Sequence, residues 1–115
     1  MGVALNSNQS LSLWRDITEY LVSQNTGFDL SLRQMAILMK VYTSDVPYTV
    51  RELSRFFRIS KPAVTRALNS LSRHGLIRRK IDPADKRSVF VQKTVKGSVF
   101  LSDFGDVVCR FAERL

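Results

Sequence analysis

The chain is poor in the residues that staple a protein, bind metals or anchor it in a membrane. Cys109 is the single cysteine in 115 residues, so no intrachain disulfide can close, and a reducing compartment is the natural setting. One histidine with one cysteine cannot build a structural zinc site. No metal site and no cofactor are therefore expected. No apolar run is long enough to span a membrane, and Met1 to Ser12 lacks the basic start and apolar centre of a secretory signal. The expected location is cytoplasmic. Glycine and proline are also sparse, with five and three residues, while apolar and charged residues stand at 44% and 24%. These values are close to globular averages and exclude a fibrous repeat or a disordered tail. Acid is the other scarcity, with 10 Asp and Glu against 18 Lys and Arg and a net charge of +8. Such an excess suits a polyanion, either nucleic acid or an anionic membrane surface.

The length predicts a single domain over 1–115. Within it the charge is unevenly placed. Arg51 to Lys96 holds thirteen basic residues against Glu52, Asp82 and Asp85, a net +10, whereas the rest of the chain holds five against seven, a net −2.

Hydrophobic spacing and capping signals divide the chain into elements. Residues 11–24 carry Leu13, Trp14, Ile17, Tyr20 and Leu21 at helical spacing and read as an amphipathic helix stopped by Asn25-Thr26-Gly27. Ser31 with Gln34, and Thr49 with Glu52, have capping-box spacing and open two further helices. The first of these runs to about Thr43, and Pro47 turns the chain after it. The second has Val50, Leu53, Phe56 and Phe57 as its apolar stripe, which stops at Arg58. Ser60 caps a fourth helix with Pro62 in its first turn and Gly75 as its stop. Two short helices about three residues apart give helix-turn-helix spacing. Leu76–Ile81 and Ser88–Lys93 then read as strands around a polar turn at 82–87, a β-hairpin with a charged tip. Thr94 caps a last helix with Phe100, Phe104, Val107, Val108, Phe111 and Leu115 on its apolar face.

On the fourth helix, 61–74, Val64, Leu68 and Leu71 turn inward, which places Lys61, Pro62, Thr65, Arg66, Asn69 and Arg73 on other faces. Arginine can pair with both acceptors of guanine, asparagine with adenine, and the threonine methyl can touch that of thymine. Residues near the start of such a helix reach base edges, and its free N–H groups suit a phosphate. Lys61, Thr65, Arg66 and Asn69 are accordingly the candidate base or phosphate contacts. Trp14, Ile17, Leu21, Phe104, Val108 and Phe111 exceed what a small core needs and are candidates for a two-fold interface. Cys109, beside Val107, Val108 and Phe111, reads as buried apolar filler, and His74 as a surface or cap residue rather than a switch. Asp82 and Asp85 lie in a polar turn without a nucleophile or metal motif, so no catalytic site and no enzyme activity are expected.

The segments Ser60-Lys61-Pro62-Ala63-Val64-Thr65-Arg66, Leu68 to Leu71, His74-Gly75-Leu76-Ile77-Arg78, Asp85-Lys86-Arg87-Ser88-Val89 and Thr94-Val95-Lys96-Gly97 resemble the winged-helix repressors of the MarR family. The likeness covers roughly Ser31 to Gly97. It implies a mainly α fold with a small β-hairpin wing, a winged helix-turn-helix whose DNA-binding lobe is 31–94. Terminal helices 11–24 and 95–115 would form a dimerisation scaffold. The implied function is a sequence-specific transcriptional regulator of double-stranded DNA, a homodimeric repressor on a palindromic operator. Its reading heads would stand about one DNA turn, roughly 34 to 36 Å, apart. Helix 61–74 would enter the major groove, and the wing at 82–88 the minor groove through the arginine of an Asp-x-Arg motif. A narrow minor groove attracts arginine by its negative potential. The expected contact set is Ser60, Lys61, Pro62, Thr65, Arg66, Asn69, Arg73, Lys86 and Arg87, with Asp85 orienting Arg87 by charge pairing. Relatives commonly place leucine where Lys93 stands, and they usually carry longer terminal helices, so any pocket for a small-molecule effector is expected to be reduced. The alternative is a winged-helix protein-interaction module without sequence-specific DNA readout, but its recognition face should lean apolar, whereas this one is basic. No membrane role is expected, because the helices do not oppose a strongly apolar face to a Lys/Arg-rich one.

Overall fold

In the computed structural model, which describes residues 2, 4–24 and 29–115, five helices and one hairpin follow in the order α1 (Ser7–Ser23), α2 (Leu32–Tyr42), α3 (Val50–Phe57), α4 (Lys61–Arg73), β1 (Ile77–Asp82), β2 (Asp85–Lys93) and α5 (Val95–Glu113). The chain forms two compact units, one of Met1–Asp29 with Ser102–Leu115 and the other of Leu30–Leu101. Among the described residues no helix is long and apolar enough to cross a membrane.

In the first unit α1 starts four residues before the expected position. Asn6 accepts the Gln9 N–H while the Gln9 side chain accepts that of Asn6, a reciprocal cap that sets the start ahead of the apolar stripe. The helix ends at Ser23, and the stop expected at Asn25-Thr26-Gly27 lies outside the described residues. Ile17 and Val107 are buried, and Tyr20 meets Phe111 edge to face at 6.2 Å.

The second unit is organised by caps that the side chains announce. Ser31 and Gln34 close the expected box on α2, and Thr49 and Glu52 that on α3. Ser60 Oγ accepts the Ala63 N–H at the start of α4. That helix ends in a Schellman motif, with the Gly75 N–H on Ser72 O at 2.9 Å and the Leu76 N–H on Leu71 O at 3.0 Å. Gly75 has φ +74, which a side chain would strain. The core comes from Ile37, Leu38 and Val41 of α2, Leu53 of α3, Val64, Leu68 and Leu71 of α4, and Leu76, Ile77 and Val91 of the hairpin region. Phe56 departs from the expected apolar stripe of α3, being 57% exposed. The Lys40 ammonium sits 3.6 Å from its ring centroid, so a cation–π contact replaces burial there.

The two strands are antiparallel, with Ile77 opposite Lys93 and Ile81 opposite Val89. They run further than their composition suggested, leaving only Pro83-Ala84 as the turn, because Asp82 Oδ1 accepts the Ala84 N–H at 2.9 Å and closes it. Leu76, expected at the start of the first strand, belongs instead to the helix stop. The hairpin base is pinned to the segment before α3 by a Val91 N–H to Tyr48 O bond of 2.9 Å and a bridge between Thr49 and Phe90.

One hydroxyl joins three pieces of this unit. Tyr42 at the end of α2 donates to Leu76 O at 2.6 Å and accepts the Thr94 N–H at 2.9 Å. Thr94 Oγ1 in turn donates to Gly75 O at 2.7 Å and accepts the Gly97 N–H at 3.0 Å, capping α5 as its sequence position indicated. Gly97 is required by proximity, since a Cβ there would overlap the Tyr42 hydroxyl and the Leu76 carbonyl. Gly97→Ala is expected to destabilise the protein by about 1 to 3 kcal/mol through overpacking. Tyr42→Phe should do so by about 1 to 3 kcal/mol by leaving two polar groups unpaired. Both should appear as lower urea midpoints at unchanged m-value, and midpoints equal to the parent's would show that the junction yields freely.

Candidate nucleic-acid interface

The α3–α4 pair is a helix-turn-helix whose turn is stapled by one residue. Ser54 O accepts the N–H groups of Arg58 and Ile59, and Ser54 Oγ donates to Ile59 O at 2.6 Å. The start of α4 is thereby fixed to the end of α3. Its inner face, Ala63, Val64, Ala67, Leu68 and Leu71, is buried, which leaves Ser60, Lys61, Pro62, Thr65, Arg66 and Arg73 outside the core. Asn69 is half-buried. Arg73 lies in the last turn, where its charge complements the helix dipole. It is separated from Lys61 by about 18 Å of helix axis at the usual rise of about 1.5 Å per residue.

On the wing, Lys86 and Arg87 are exposed near the start of β2 rather than in a loop. Asp85 does face Arg87, but by another route than charge pairing. Its Oδ1 accepts the Arg87 backbone N–H at 3.1 Å, and no ion pair joins the two side chains. The carboxylate thus orients the strand start and leaves the guanidinium unneutralised. Lys93 is exposed and donates to Ser44 O at 2.8 Å.

The acids explain the electrostatics of this unit. All three carboxylates of the basic segment serve backbone turns: Glu52 accepts the Thr49 N–H, Asp82 that of Ala84, and Asp85 that of Arg87. None is within ion-pair reach of a basic side chain among the described residues. These acids therefore leave the positive excess of α4 and the wing unneutralised. Arg51, Arg55, Arg58, Arg78, Arg79 and Lys80 belong to it as well. Sequence reasoning counted them as charge without assigning them a site, although the spacing of 51, 55 and 58 was there to be read.

Of the apolar interface candidates, Trp14 is 55% exposed, and Leu21, Phe104, Val108 and Phe111 are half-buried. Ile17, 7% exposed, is taken into the chain's own packing. Cys109, expected inside, is exposed: it lies two residues past buried Val107, off the packed face of α5.

The model of the MarR family matches residues 30–89. The chain belongs to the MarR family. This is a family of transcriptional regulators rather than of enzymes. A curated relative, the uncharacterised HTH-type transcriptional regulator YkoM of Bacillus subtilis (strain 168), is 26% identical over 88 residues, covering 76% of this chain and 56% of that protein. The chain thus spans little more than half the length of this relative. A transcriptional regulator from Thermotoga maritima is 26% identical with a TM-score of 0.68, covering 93% of this chain and 69% of its own. The S. aureus MepR–DNA complex, at 20% identity and a TM-score of 0.70 over 90% of this chain and 79% of the other, shares the fold. The winged helix with its two-stranded hairpin is the architecture of these neighbours.

Asp85→Ala is expected to speed amide exchange at Arg87 and its neighbours on the wing, while Asp85→Asn, which can still accept the bond, should stay near the parent. Equal acceleration in both variants, measured by NMR hydrogen exchange, would show that the negative charge, not the acceptor, orders the strand start.

Proposed function

We propose that this MarR-family chain is a sequence-specific regulator that binds double-stranded DNA as a homodimer and represses by occupying a promoter. The observation that carries the reading is the open positive charge. Every acid of the basic segment is engaged by a backbone turn, so the exposed side chains of α4 and of the wing are left for a polyanion. In this reading α4 lies in the major groove with Lys61, Thr65, Arg66 and Asn69 reading bases. Ser60, Pro62 and Arg73 touch the flanking backbone, and Lys86 and Arg87 reach the adjacent minor groove. The neighbour MepR, whose fold this chain shares, was crystallised in complex with DNA, which supports the reading.

The dimer reading rests on exposed apolar surface at both ends of the chain. Trp14 and Leu11 of α1 are more than half exposed, and Phe104, Val108 and Phe111 of α5 are half-buried. Aromatic residues dominate the energetics of such interfaces. Two identical heads would favour an inverted repeat in the operator. The domain roles follow, with 31–94 as the DNA-binding lobe and 11–24 and 95–115 as scaffold, in a protein acting in the cytoplasm.

Selection from randomised duplexes is expected to recover an inverted repeat, which would test dimer and readout together. Arg66→Ala should weaken the preferred site by about 1 to 3 kcal/mol and relax the choice of base at one position in each half-site. An unchanged preference would remove Arg66 from base readout. Trp14→Ala should shift sedimentation velocity towards monomer at micromolar concentration, and a dimer of undiminished strength would place the interface elsewhere.

A further inference from the structure

We propose that Arg58, with Arg51 and Arg55, anchors the phosphate backbone beside the recognition helix, and that Arg58 is retained in a strained conformation for its charge. The inference rests on the DNA-binding reading and adds to it a set of positioning residues on the first helix of the pair. Arg58 is the one described non-glycine residue with positive φ, at φ 56 and ψ 43. That left-handed region brings Cβ against the backbone in any residue but glycine. Glycine, or asparagine, is the residue that ordinarily closes a helix in this way. An arginine here lowers stability without filling any core, since it lies outside the buried set. A non-glycine outlier held by the surrounding structure points to a use for the side chain.

Three further observations say what that use is. Arg51 and Arg55 stand one turn apart on α3, on the face away from buried Leu53, and Arg58 continues their row at the helix end. None of the three is buried, and the one acid of α3, Glu52, is turned to the Thr49 cap, so the row is not neutralised. Finally, Arg58 is tied through Ser54 to Ile59, the residue before the Ser60 cap of α4. A charge fixed so close to the start of the recognition helix sets that helix's register on the duplex without reading sequence.

The test uses the full chain and two duplexes, one of random sequence about 30 bp long and one carrying the selected site, each titrated across salt concentrations. Arg58→Gly should raise the melting temperature by a few degrees. It should also weaken binding to both duplexes by about three- to tenfold and make the log K against log salt slope shallower by about 0.9. Arg58→Lys keeps the charge and the strain and should match the parent in both readouts. Arg58→Ala should lose affinity without gaining stability. Neutralising Arg51, Arg55 and Arg58 together as glutamine should reduce the slope by about 2.7 while leaving the ratio of specific to random binding unchanged. Parent-like affinity and slope in Arg58→Gly and in the triple variant would overturn the proposal while leaving DNA binding intact. A loss confined to the selected site would make Arg58 a base reader instead and would likewise overturn it. No binding by the parent at low salt would overturn the DNA reading and this assignment with it.

Discussion

The Tyr42 hydroxyl is the point on which the unit of Leu30–Leu101 closes. It ends α2, takes the carbonyl that follows the stop of α4, and holds the N–H that precedes α5, so three connections far apart in sequence meet at one oxygen. Each of those backbone groups would otherwise lie partly buried without a partner, which typically costs about 1 to 3 kcal/mol per group. The demand for close approach explains Gly97, where any side chain would enter the space of the hydroxyl. Gly75 is set by the neighbouring constraint, the left-handed turn that lets Leu76 fold back under α4. Once this junction is made, the start of the wing and the end of α4 are fixed to the same place. The exposed face of α4 then follows from which of its residues the core has taken.

The same economy of polar groups governs the charge. A basic unit could neutralise itself with surface ion pairs, but exposed pairs contribute only about 0 to 1 kcal/mol. Here each carboxylate of the basic segment completes a turn instead, at Thr49, at Pro83-Ala84 and at the start of β2. Caps of this kind are worth about 0.5 to 2 kcal/mol. Local backbone geometry therefore wins the acids, and the exposed arginines of α3, α4 and the wing are not neutralised by them. The field around α3, α4 and the hairpin is thus a consequence of how the unit folds as well as of its composition.

Much of this was legible from the chain. Ser31-Gln34, Thr49-Glu52, Ser60-Pro62 and Thr94 announce helix starts because the bonds they make are local, and α2, α3, α4 and α5 begin where these residues say. The exposed face of α4 followed from the position of Val64, Leu68 and Leu71 alone. Failures came where the decisive contact was not the one being sought. Reading α1 from its apolar stripe missed the Asn6–Gln9 box that starts it earlier. Asp82 to Arg87 have turn composition, yet the Asp82 side chain closes the turn in two residues and returns the rest to strand. Phe56 looked like core by spacing, but Lys40 of α2 covers it from outside. Tyr42 gave no local sign of its role, because its partners lie 34 and 52 residues away.

The hairpin shows how anchoring grades into freedom. At its base Ile77 and Val91 are buried, Val91 donates to Tyr48 O, and Lys93 reaches Ser44 O, so this end is bound both to the core and to the segment that leads into α3. The Lys93 side chain stays at the surface, where its ammonium finds a carbonyl. Towards the tip the residues become exposed, and from Pro83 to Arg87 the order comes from the carboxylates of Asp82 and Asp85 acting on their own neighbourhood. Segments with few buried apolar contacts and solvent-exposed hydrogen bonds open at small free energies. A wing built this way keeps its root in register with α4 while its tip, carrying Lys86 and Arg87, is left free to adjust. The position of the root is a property of the fold, and the disposition of the tip is a property of two aspartates.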